Sequence, residues 1–263
     1  MRRWRWRIGI AICALSLVAA PLFGGVNLRV REGRPIVDGV YVNGQGPFRF
    51  LLDTGTNVNL IETGLARTIG MNADFQVDLT SALGKTKMPG SDGNEVELGE
   101  AKASGQKFLV SGLEAIHHLL PDVHGVLGQW FLSGFDYKLD LRGKRLEFGK
   151  QSLNGRRAQF RMLNGRTAVS TSLGDLVLDS GAAQLVLFGV DPDSHDQGSM
   201  RTLAGTQTVG MVFSRLAIEG RNIWRGDAVA IPGRSEPGVA GLMPLSLFKT
   251  VYVCNSEGYV IFR

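Results

Sequence analysis

Cysteine is almost absent from this sequence, since only Cys13 and Cys254 occur among 263 residues. Cys13 lies in an apolar N-terminal stretch, so Cys254 has no disulfide partner in the rest of the chain. A small disulfide-rich fold is therefore excluded, and stability must come from a hydrophobic core. Cys254 lies inside the apolar run VYVC, where we expect a buried structural thiol.

A general excess of positive charge is also lacking once the N-terminus is set aside. The formal net charge is +5, but residues 1–25 carry Arg2, Arg3, Arg5 and Arg7 and no acidic residue. The remaining chain is close to neutral, which excludes a general attraction to nucleic acid. Hydrophobic residues make up 44% and charged residues 20% of the sequence, as in a folded globular protein.

The N-terminus has the pattern of a targeting segment. The basic start MRRWRWR is followed by residues 8–23, which carry no charge and are slightly short for a membrane span. This pattern is typical of a signal peptide, but no clear cleavage site follows, so a retained membrane anchor stays open. In both cases we expect the body to lie outside the cytoplasm, periplasmic or secreted, with membrane contact only through this segment.

Long stretches with helical periodicity are missing as well. Short apolar runs separated by glycine-containing turns predominate, which predicts a mostly β structure. Residues 36–53, IVDGVYVNGQGPFRFLLD, predict two strands joined by an Asn-Gly turn, with the second strand ending at Asp53. The best candidates for short helices are residues 61–71 and 114–120.

The chain nearly repeats itself. Three segments of the first half have similar counterparts in the second half, in the same order. Residues 48–61 correspond to 174–188, residues 80–86 to 201–208, and residues 124–148 to 237–262. Three echoes in register indicate a duplicated unit. We therefore expect an N-terminal lobe over residues 34–150, a polar linker over residues 151–160 and a C-terminal lobe over residues 161–263.

Each half places an aspartate at the end of an apolar run, followed by a hydroxyl residue and a glycine. The two triplets are Asp53-Thr54-Gly55 and Asp179-Ser180-Gly181. A carboxylate after such a run is costly unless it is hydrogen-bonded or paired. If the halves pack about a pseudo-twofold axis, the two carboxyl groups face each other and share one proton. Such a pair can activate a water molecule by acid and base chemistry, with no metal and no cofactor.

The triplets resemble those of the pepsin and retropepsin aspartic proteases. Each is followed by an apolar pair and a glycine, Val126-Leu127-Gly128 in the first half and Val239-Ala240-Gly241 in the second. The resemblance covers roughly residues 34–263 and is strongest to bacterial retropepsin-like proteins, here with two units fused. It implies an all-β, bilobal, pepsin-like fold made of two retropepsin-like β-barrel lobes with short helices. It also implies an aspartic-type endopeptidase acting on peptides or proteins, with both aspartates on one chain, so that a monomer is sufficient.

The resemblance implies a role for each matching residue. Asp53 and Asp179 are the expected catalytic pair, and Thr54 and Ser180 are expected to brace the two active loops against each other. Gly128 and Gly241 are expected to let a strand pass close beneath each aspartate. The tips of two flaps that close over a peptide are expected at Leu83-Gly84 and at Ala204-Gly205.

Two features depart from the family pattern. Pepsin-like enzymes carry a tyrosine in the first flap, whereas residues 75–110 contain none, so a retropepsin-like flap fits better. The residue after the active-loop glycine is Thr56 in the first half but Ala182 in the second. Because a hydroxyl there can stabilise an ionised carboxylate and a methyl group cannot, we expect Thr56 to support Asp53, Ala182 to leave Asp179 unsupported, and activity nearer neutral pH than in a strongly acid-adapted enzyme.

Other readings of the same residues are weaker. His117, His118 and His124 lack the spacing of a zinc site, and Asp191, Asp193 and Asp196 lack the glycine and glutamate of a calcium loop. Ser111 and Ser180 lack the context of a serine nucleophile. Two alternative functions stay open: a protease-like module that binds peptides without cutting them, and a glycosidase, which also uses two carboxylates but favours an aromatic cleft.

Overall fold

The computed structural model describes residues 25–81, 84–193, 198–202, 205–233 and 236–263. The predicted targeting stretch, residues 8–23, lies outside the described residues, as do Leu83, Ala204 and Asp196. Within the described ranges, no helix is long and apolar enough to cross a bilayer.

The first half of the chain forms mainly strands. They are β1 (Val26–Arg31), β2 (Arg34–Val42), β3 (Gln45–Leu52), β4 (Leu60–Glu62), β5 (Phe75–Ser81), β6 (Gly84–Leu98), β7 (Ala101–Ser111), β8 (Gly125–Leu127), β9 (Tyr137–Asp140) and β10 (Arg145–Phe148). Its helices are short: α1 (Thr63–Thr68), α2 (Glu114–His117) and α3 (Gln129–Leu132). The predicted helices at residues 61–71 and 114–120 are thus confirmed, although each is shorter than its sequence pattern.

The second half is built in the same way. Its strands are β11 (Arg156–Leu163), β12 (Arg166–Thr171), β13 (Gly174–Asp179), β14 (Val186–Phe188), β15 (Gly198–Thr202), β16 (Gly205–Ile218), β17 (Arg221–Ile231), β18 (Gly241–Pro244), β19 (Thr250–Cys254) and β20 (Tyr259–Phe262). A single turn of 3₁₀-helix spans Leu245–Leu247. The predicted all-β class is confirmed.

The strand–turn–strand prediction before Asp53 is also confirmed. β2 and β3 pair antiparallel, with Val42 opposite Gln45. The two residues between them, Asn43 and Gly44, both have positive φ, at 52° and 73°. This conformation suits the twist of a two-residue hairpin, and asparagine and glycine adopt it at low cost. The hairpin therefore fixes the register of β3 against β2, and Asp53 directly follows the end of β3.

Both halves share one strand arrangement around the triplets. In the first half β3 pairs parallel with β8, while β4 pairs antiparallel with β8 and parallel with β7. In the second half β13 pairs parallel with β18, while β14 pairs antiparallel with β18 and parallel with β17. The same three pairings, made by corresponding strands, are what a duplicated unit predicts.

One antiparallel sheet runs across both halves, in the order β1, β10, β9, β19, β20, β11. The halves meet in it where Tyr137 of β9 lies opposite Val253 of β19. The expected linker, residues 151–160, enters this sheet, because its last five residues already belong to β11 and four of them, residues 156–159, pair with β20. The lobe boundaries themselves stay a prediction.

The hydrophobic core has three parts. The largest cluster combines residues of both halves, from Leu28 to Phe262, and each half adds a smaller cluster of its own. Cys254 is buried, as its apolar surroundings predicted. Burial of the flanking strands in these clusters fixes the ends of β3 and β13, where the two triplets lie.

Candidate active site

The two predicted aspartates lie side by side at the ends of equivalent strands. Asp53 follows β3 directly, and Asp179 is the last residue of β13. Their carboxyl groups face each other, since each lies against the glycine of the opposite triplet and shifts the pKa of the other aspartate. Asp53 also accepts the backbone amide of Gly55 at 2.9 Å, and Asp179 accepts that of Gly181 at 2.7 Å. The two halves thus bring together carboxyl groups that are far apart in the sequence.

Glycine is required beside each aspartate because the opposite carboxyl group occupies the space of a side chain. A methyl carbon on Gly181 would lie 2.8 Å from Cγ of Asp53, and one on Gly55 would overlap the carboxyl group of Asp179. Contacts this short do not occur in folded proteins without displacement of one partner. Both glycines therefore permit the close approach of the two carboxyl groups.

Burial raises the pKa of both aspartates above the usual value, because the charged form loses its hydration. The negative charge of Asp179 raises the pKa of Asp53 further. Hydrogen bonds from the backbone amides of Ala182 and Gly181 lower the pKa of Asp179, and interaction with the Asp53 carboxyl group lowers it further. The pair therefore holds a shared proton above the pH at which an isolated aspartate would lose it.

Thr54 and Ser180 brace the two active loops, as predicted. Thr54 donates its hydroxyl to the carbonyl oxygen of Leu178 at 2.7 Å, and Ser180 donates its hydroxyl to that of Leu52 at 2.6 Å. Each hydroxyl oxygen also accepts the backbone amide of the other residue at 3.0 Å. All four bonds are buried and cross between the halves, so they fix the separation of the aspartates.

Arginines from a repeated hairpin turn reach the active loops from the opposite half. Arg34 donates its Nε to the carbonyl oxygen of Gly181 at 2.8 Å, and Arg166 donates to that of Gly55 at 3.5 Å. Arg166 also forms an ion pair with Glu236. Its positive charge lowers the pKa of both aspartates, which partly offsets the effect of burial.

A cleft of about 570 Å³ opens at the aspartate pair. Its apolar walls come from both halves and are formed by Leu51, Ile116, Leu119, Leu120, Val186, Val229 and Leu242. Polar groups on its surface include Arg34, His118 and Gln184. The cleft can hold an extended segment that passes over the two carboxyl groups.

The predicted flaps correspond to two hairpins. Gly84 begins β6 and lies opposite Ser81 of β5, and Gly205 begins β16 and lies opposite Thr202 of β15. The other two predicted tip residues, Leu83 and Ala204, lie outside the described residues. Ser199 of β15 lines the cleft, so the second hairpin reaches the site.

Comparison with known proteins gives one family. Residues 39–131 match the family model described as aspartyl protease. The chain therefore carries a domain of the aspartic protease superfamily. The matched residues include the triplet Asp53-Thr54-Gly55. The match ends at residue 131, before the second half of the chain begins. No curated protein matches the chain.

The hydrogen bonds that support the two aspartates differ from those expected from the sequence. Asp179 is not left unsupported, because the backbone amide of Ala182 donates to it at 2.8 Å. Among the described contacts, no hydrogen bond joins the Thr56 hydroxyl to Asp53; instead, the Thr56 carbonyl oxygen accepts the backbone amide of Gln129. The expectation considered side chains only, whereas the loop aims a backbone N–H at the second carboxyl group.

The expected equivalence of Gly128 and Gly241 is also corrected. Leu176, three residues before Asp179, pairs with Gly241, and Phe50, three residues before Asp53, pairs with Gly125. Gly125 is thus the counterpart of Gly241, and Gly128 corresponds to Pro244. Gly128 still lies beside the first active loop, where an added methyl carbon would overlap the carbonyl oxygen of Val58. The apolar-pair motif had been aligned three residues out of register.

Two buried amides that the sequence reading missed support the first active loop. Asn59 accepts the backbone amide of Gly128 at 3.0 Å, and Gln129 donates to the carbonyl oxygen of Thr54 at 2.9 Å. In the register above, their counterparts are Leu185 and Leu245, which are both buried. The first active loop is therefore supported by polar contacts, and the second by apolar packing at the corresponding positions. The sequence signal for these two amides was a polar residue at a position where the other half has a leucine.

Arg34 and Arg166 were missed for a similar reason. The turns before them, Glu32-Gly33 and Asn164-Gly165, have positive φ at all four residues. The repeated Gly-Arg, whose arginine begins β2 or β12 and lies three residues before a valine, was therefore a fourth echo. It marks the residues that connect each half to the opposite loop.

His117, His124 and Asp193 contact other groups of the protein. Over the described ranges, no group of three or more metal-ligating side chains lies together. His117 contacts the carbonyl oxygen of Val123 at 2.9 Å, and His124 contacts Glu62 at 3.3 Å. Asp193 accepts the backbone amide of Phe213, as expected of a residue in a turn.

Proposed function

We propose that the chain is an aspartic-type endopeptidase that uses Asp53 and Asp179 as a catalytic pair. The observation that carries the proposal is the close approach of these two carboxyl groups, each against the glycine of the opposite triplet, in one cleft. The aspartyl protease match over residues 39–131 supports the general activity. The more specific part of the proposal is that both aspartates act directly in peptide-bond hydrolysis.

The arrangement suits activation of water by one shared proton. The ionised carboxylate accepts a proton from a water molecule, whose oxygen attacks the carbonyl carbon of the scissile peptide bond. The protonated partner donates its proton to the carbonyl oxygen, giving a tetrahedral diol. Transfer of a proton to the amide nitrogen then allows the C–N bond to break, which releases an amine and a carboxylic acid. The pair ends the cycle with one proton again.

The substrate that fits is an extended peptide or protein segment with large apolar side chains next to the scissile bond. The apolar cleft walls formed by Leu51, Ile116, Val186 and Leu242 support this substrate class, because burial of an aliphatic side chain contributes roughly 1.5–3 kcal/mol. The scarcity of aromatic residues in the cleft lining disfavours a glycosidase.

Loss of either carboxylate tests the proposal. We expect Asp53→Asn and Asp179→Asn each to abolish cleavage of a diverse peptide library between about pH 3 and 8, because an amide neither accepts nor shares the proton. Asp191→Asn, at an exposed aspartate, changes the charge equally and should leave cleavage intact. Full proteolysis by either active-site variant contradicts the assignment. Binding of a statine-type inhibitor without any cleavage by the wild type supports a peptide-binding module instead.

Further proposals concern organisation and location. We propose two lobes over residues 34–150 and 161–263, with the pair complete within a single chain, so that a monomer is active. We also propose that residues 1–25 direct the body out of the cytoplasm. Fractionation of cells followed by N-terminal sequencing of the protein separates a cleaved signal peptide from a retained anchor.

A further inference from the structure

A second groove lies away from the aspartate pair, beside the outer edge of the sheet shared by the two halves. We call it the basic groove; it is lined by Gly155, Arg156, Arg157, Glu219, Arg221, Ile223, Phe248, Phe262 and Arg263. Its volume is about 700 Å³. It shares no lining residue with the cleft that contains Asp53 and Asp179.

The charges of the basic groove are not balanced. Among the described contacts, none of its four arginines forms an ion pair, and Glu219 is the one acidic side chain in its lining. By contrast, Arg29, Arg31 and Arg49 in the first half all form ion pairs. The positive charge here is therefore local, since the body as a whole is nearly neutral.

Positive charge continues along the hairpin of β16 and β17. Arg221 and Arg225 lie on either side of a bulge in β17, where the pairing with β16 shifts register between Leu216 and Ala217, and of the two only Arg221 lines the basic groove. Arg215 of β16 lies directly opposite Arg225. Like charges at directly opposed positions destabilise a sheet, so this arrangement disfavours the folded chain alone and favours it with an anionic partner.

The floor of the basic groove is apolar. The rings of Phe248 and Phe262 stack with their centroids 4.4 Å apart, and Ile223 lies beside them in the lining. A site for a small inorganic anion would not need this floor. Arginine walls over an aromatic floor suit a ligand that carries acidic and apolar groups side by side.

One wall of the basic groove is an open strand edge. Residues 156–159 of β11 pair with β20 on one side, and among the described strands none pairs with them on the other side. Arginines can protect such an edge from aggregation. That role does not explain the concave shape, the aromatic floor or the position of Arg221 on the neighbouring hairpin.

We propose that the basic groove is a docking site for an extended, acidic segment of another protein. The segment adds to the free edge of β11 through backbone hydrogen bonds. Its side chains alternate, with acidic groups towards the arginines and apolar groups towards Phe248 and Phe262. A concave groove suits a strand better than a bilayer, because a membrane surface would not reach the buried floor.

The test is calorimetric titration of the Asp53→Asn protein, which we expect to leave peptides uncut, with a synthetic peptide of alternating glutamate and leucine. We expect saturable binding that weakens with added salt. A peptide of alternating glutamine and leucine should bind several-fold less tightly. Amide hydrogen exchange at residues 156–159 should slow when the acidic peptide is bound.

Matched charge variants locate the site. Arg156→Gln/Arg221→Gln, at two arginines of the groove lining, should weaken binding about fivefold, the scale of two lost ion pairs at the surface. Arg67→Gln/Arg142→Gln, which removes the same charge at exposed positions of the first half, should have no effect, and thermal melts check that both variants fold. Absence of saturable binding, or an equal loss in both variants, overturns the proposal. Binding to vesicles of phosphatidylglycerol and phosphatidylcholine that depends on Arg156 and Arg221, without peptide binding, also overturns it.

Discussion

The hydroxyl groups of Thr54 and Ser180 exchange hydrogen bonds across the boundary between the two halves. Each accepts the backbone amide of the other residue and donates to a carbonyl oxygen of the opposite half. Each residue directly follows one of the two aspartates. The distance between the carboxyl groups is therefore set by buried contacts between the halves rather than by either half alone.

Removal of one hydroxyl should loosen both active loops. Thr54→Val keeps the side-chain shape but leaves the buried amide of Ser180 without its acceptor, which costs about 1–3 kcal/mol. We expect a lower midpoint in urea unfolding and a lower kcat, because the aspartates lose their fixed separation. Thr68→Val removes the hydroxyl of an exposed helical threonine and should cost less than about 1 kcal/mol. Equal midpoints for the two variants would refute the role of the brace.

The raised pKa values of the aspartates predict how stability depends on pH. Because the folded pKa exceeds the value of 3.8 for a free aspartate, the folded state holds its proton more tightly than the unfolded state. The pair therefore favours folding below about pH 4 and loses that contribution as pH rises towards the folded pKa. Asp53→Asn should raise Tm at pH 7 by a few degrees, where about 1 kcal/mol corresponds to roughly 2–4 °C.

The increase in Tm caused by Asp53→Asn should shrink as the pH is lowered to about 4, since the folded and unfolded states of the wild type then both bind the proton. Asp191→Asn serves as the control at an exposed site. An increase in Tm for Asp53→Asn that is independent of pH would show that burial of charge is not its cause.

The charge of Arg166 should shift the pH dependence of activity. Because this charge lowers the pKa of both aspartates, its removal in Arg166→Gln raises both pKa values and moves both limbs of the kcat/KM profile to higher pH. Arg166→Lys keeps the charge and should keep the profile. Arg161→Gln, at an exposed arginine paired with Asp175, should also leave the limbs in place. For the wild type, burial of the pair places the peak above about pH 3; a peak below that value would contradict the shared, buried proton.

Close approach of β18 to β14 should make Gly241 intolerant of a side chain. A methyl group there would overlap the carbonyl oxygen of Val186, whereas one on Gly134 would lie 3.4 Å from its nearest neighbour, the carbonyl oxygen of Phe131. We expect Gly241→Ala to cost more than about 2 kcal/mol in guanidinium unfolding, and Gly134→Ala less than about 1 kcal/mol. Comparable losses would show that the approach is not tight.

The sequence predicted the parts of this protein that depend on local patterns. Alternating apolar residues and the Asn43-Gly44 turn predicted β2 and β3, and the echoed triplets predicted the pairing of Asp53 with Asp179. The hydroxyl brace of Thr54 and Ser180 followed from the family resemblance. These features could be predicted because strand periodicity, turn chemistry and a repeated motif each depend on a short segment of the chain.

The contacts that complete the site were decided by tertiary structure. Only strand register showed that Gly125, rather than Gly128, is the counterpart of Gly241, because a motif of two apolar residues and a glycine fits several alignments. Only the fold showed that a backbone amide of Ala182 supports Asp179 and that Arg166 lies near both carboxyl groups. Backbone direction and long-range proximity have no local sequence pattern. The sequence by itself therefore determined which two aspartates meet, while the tertiary structure decided which amides and charges surround them and so how they hold their proton.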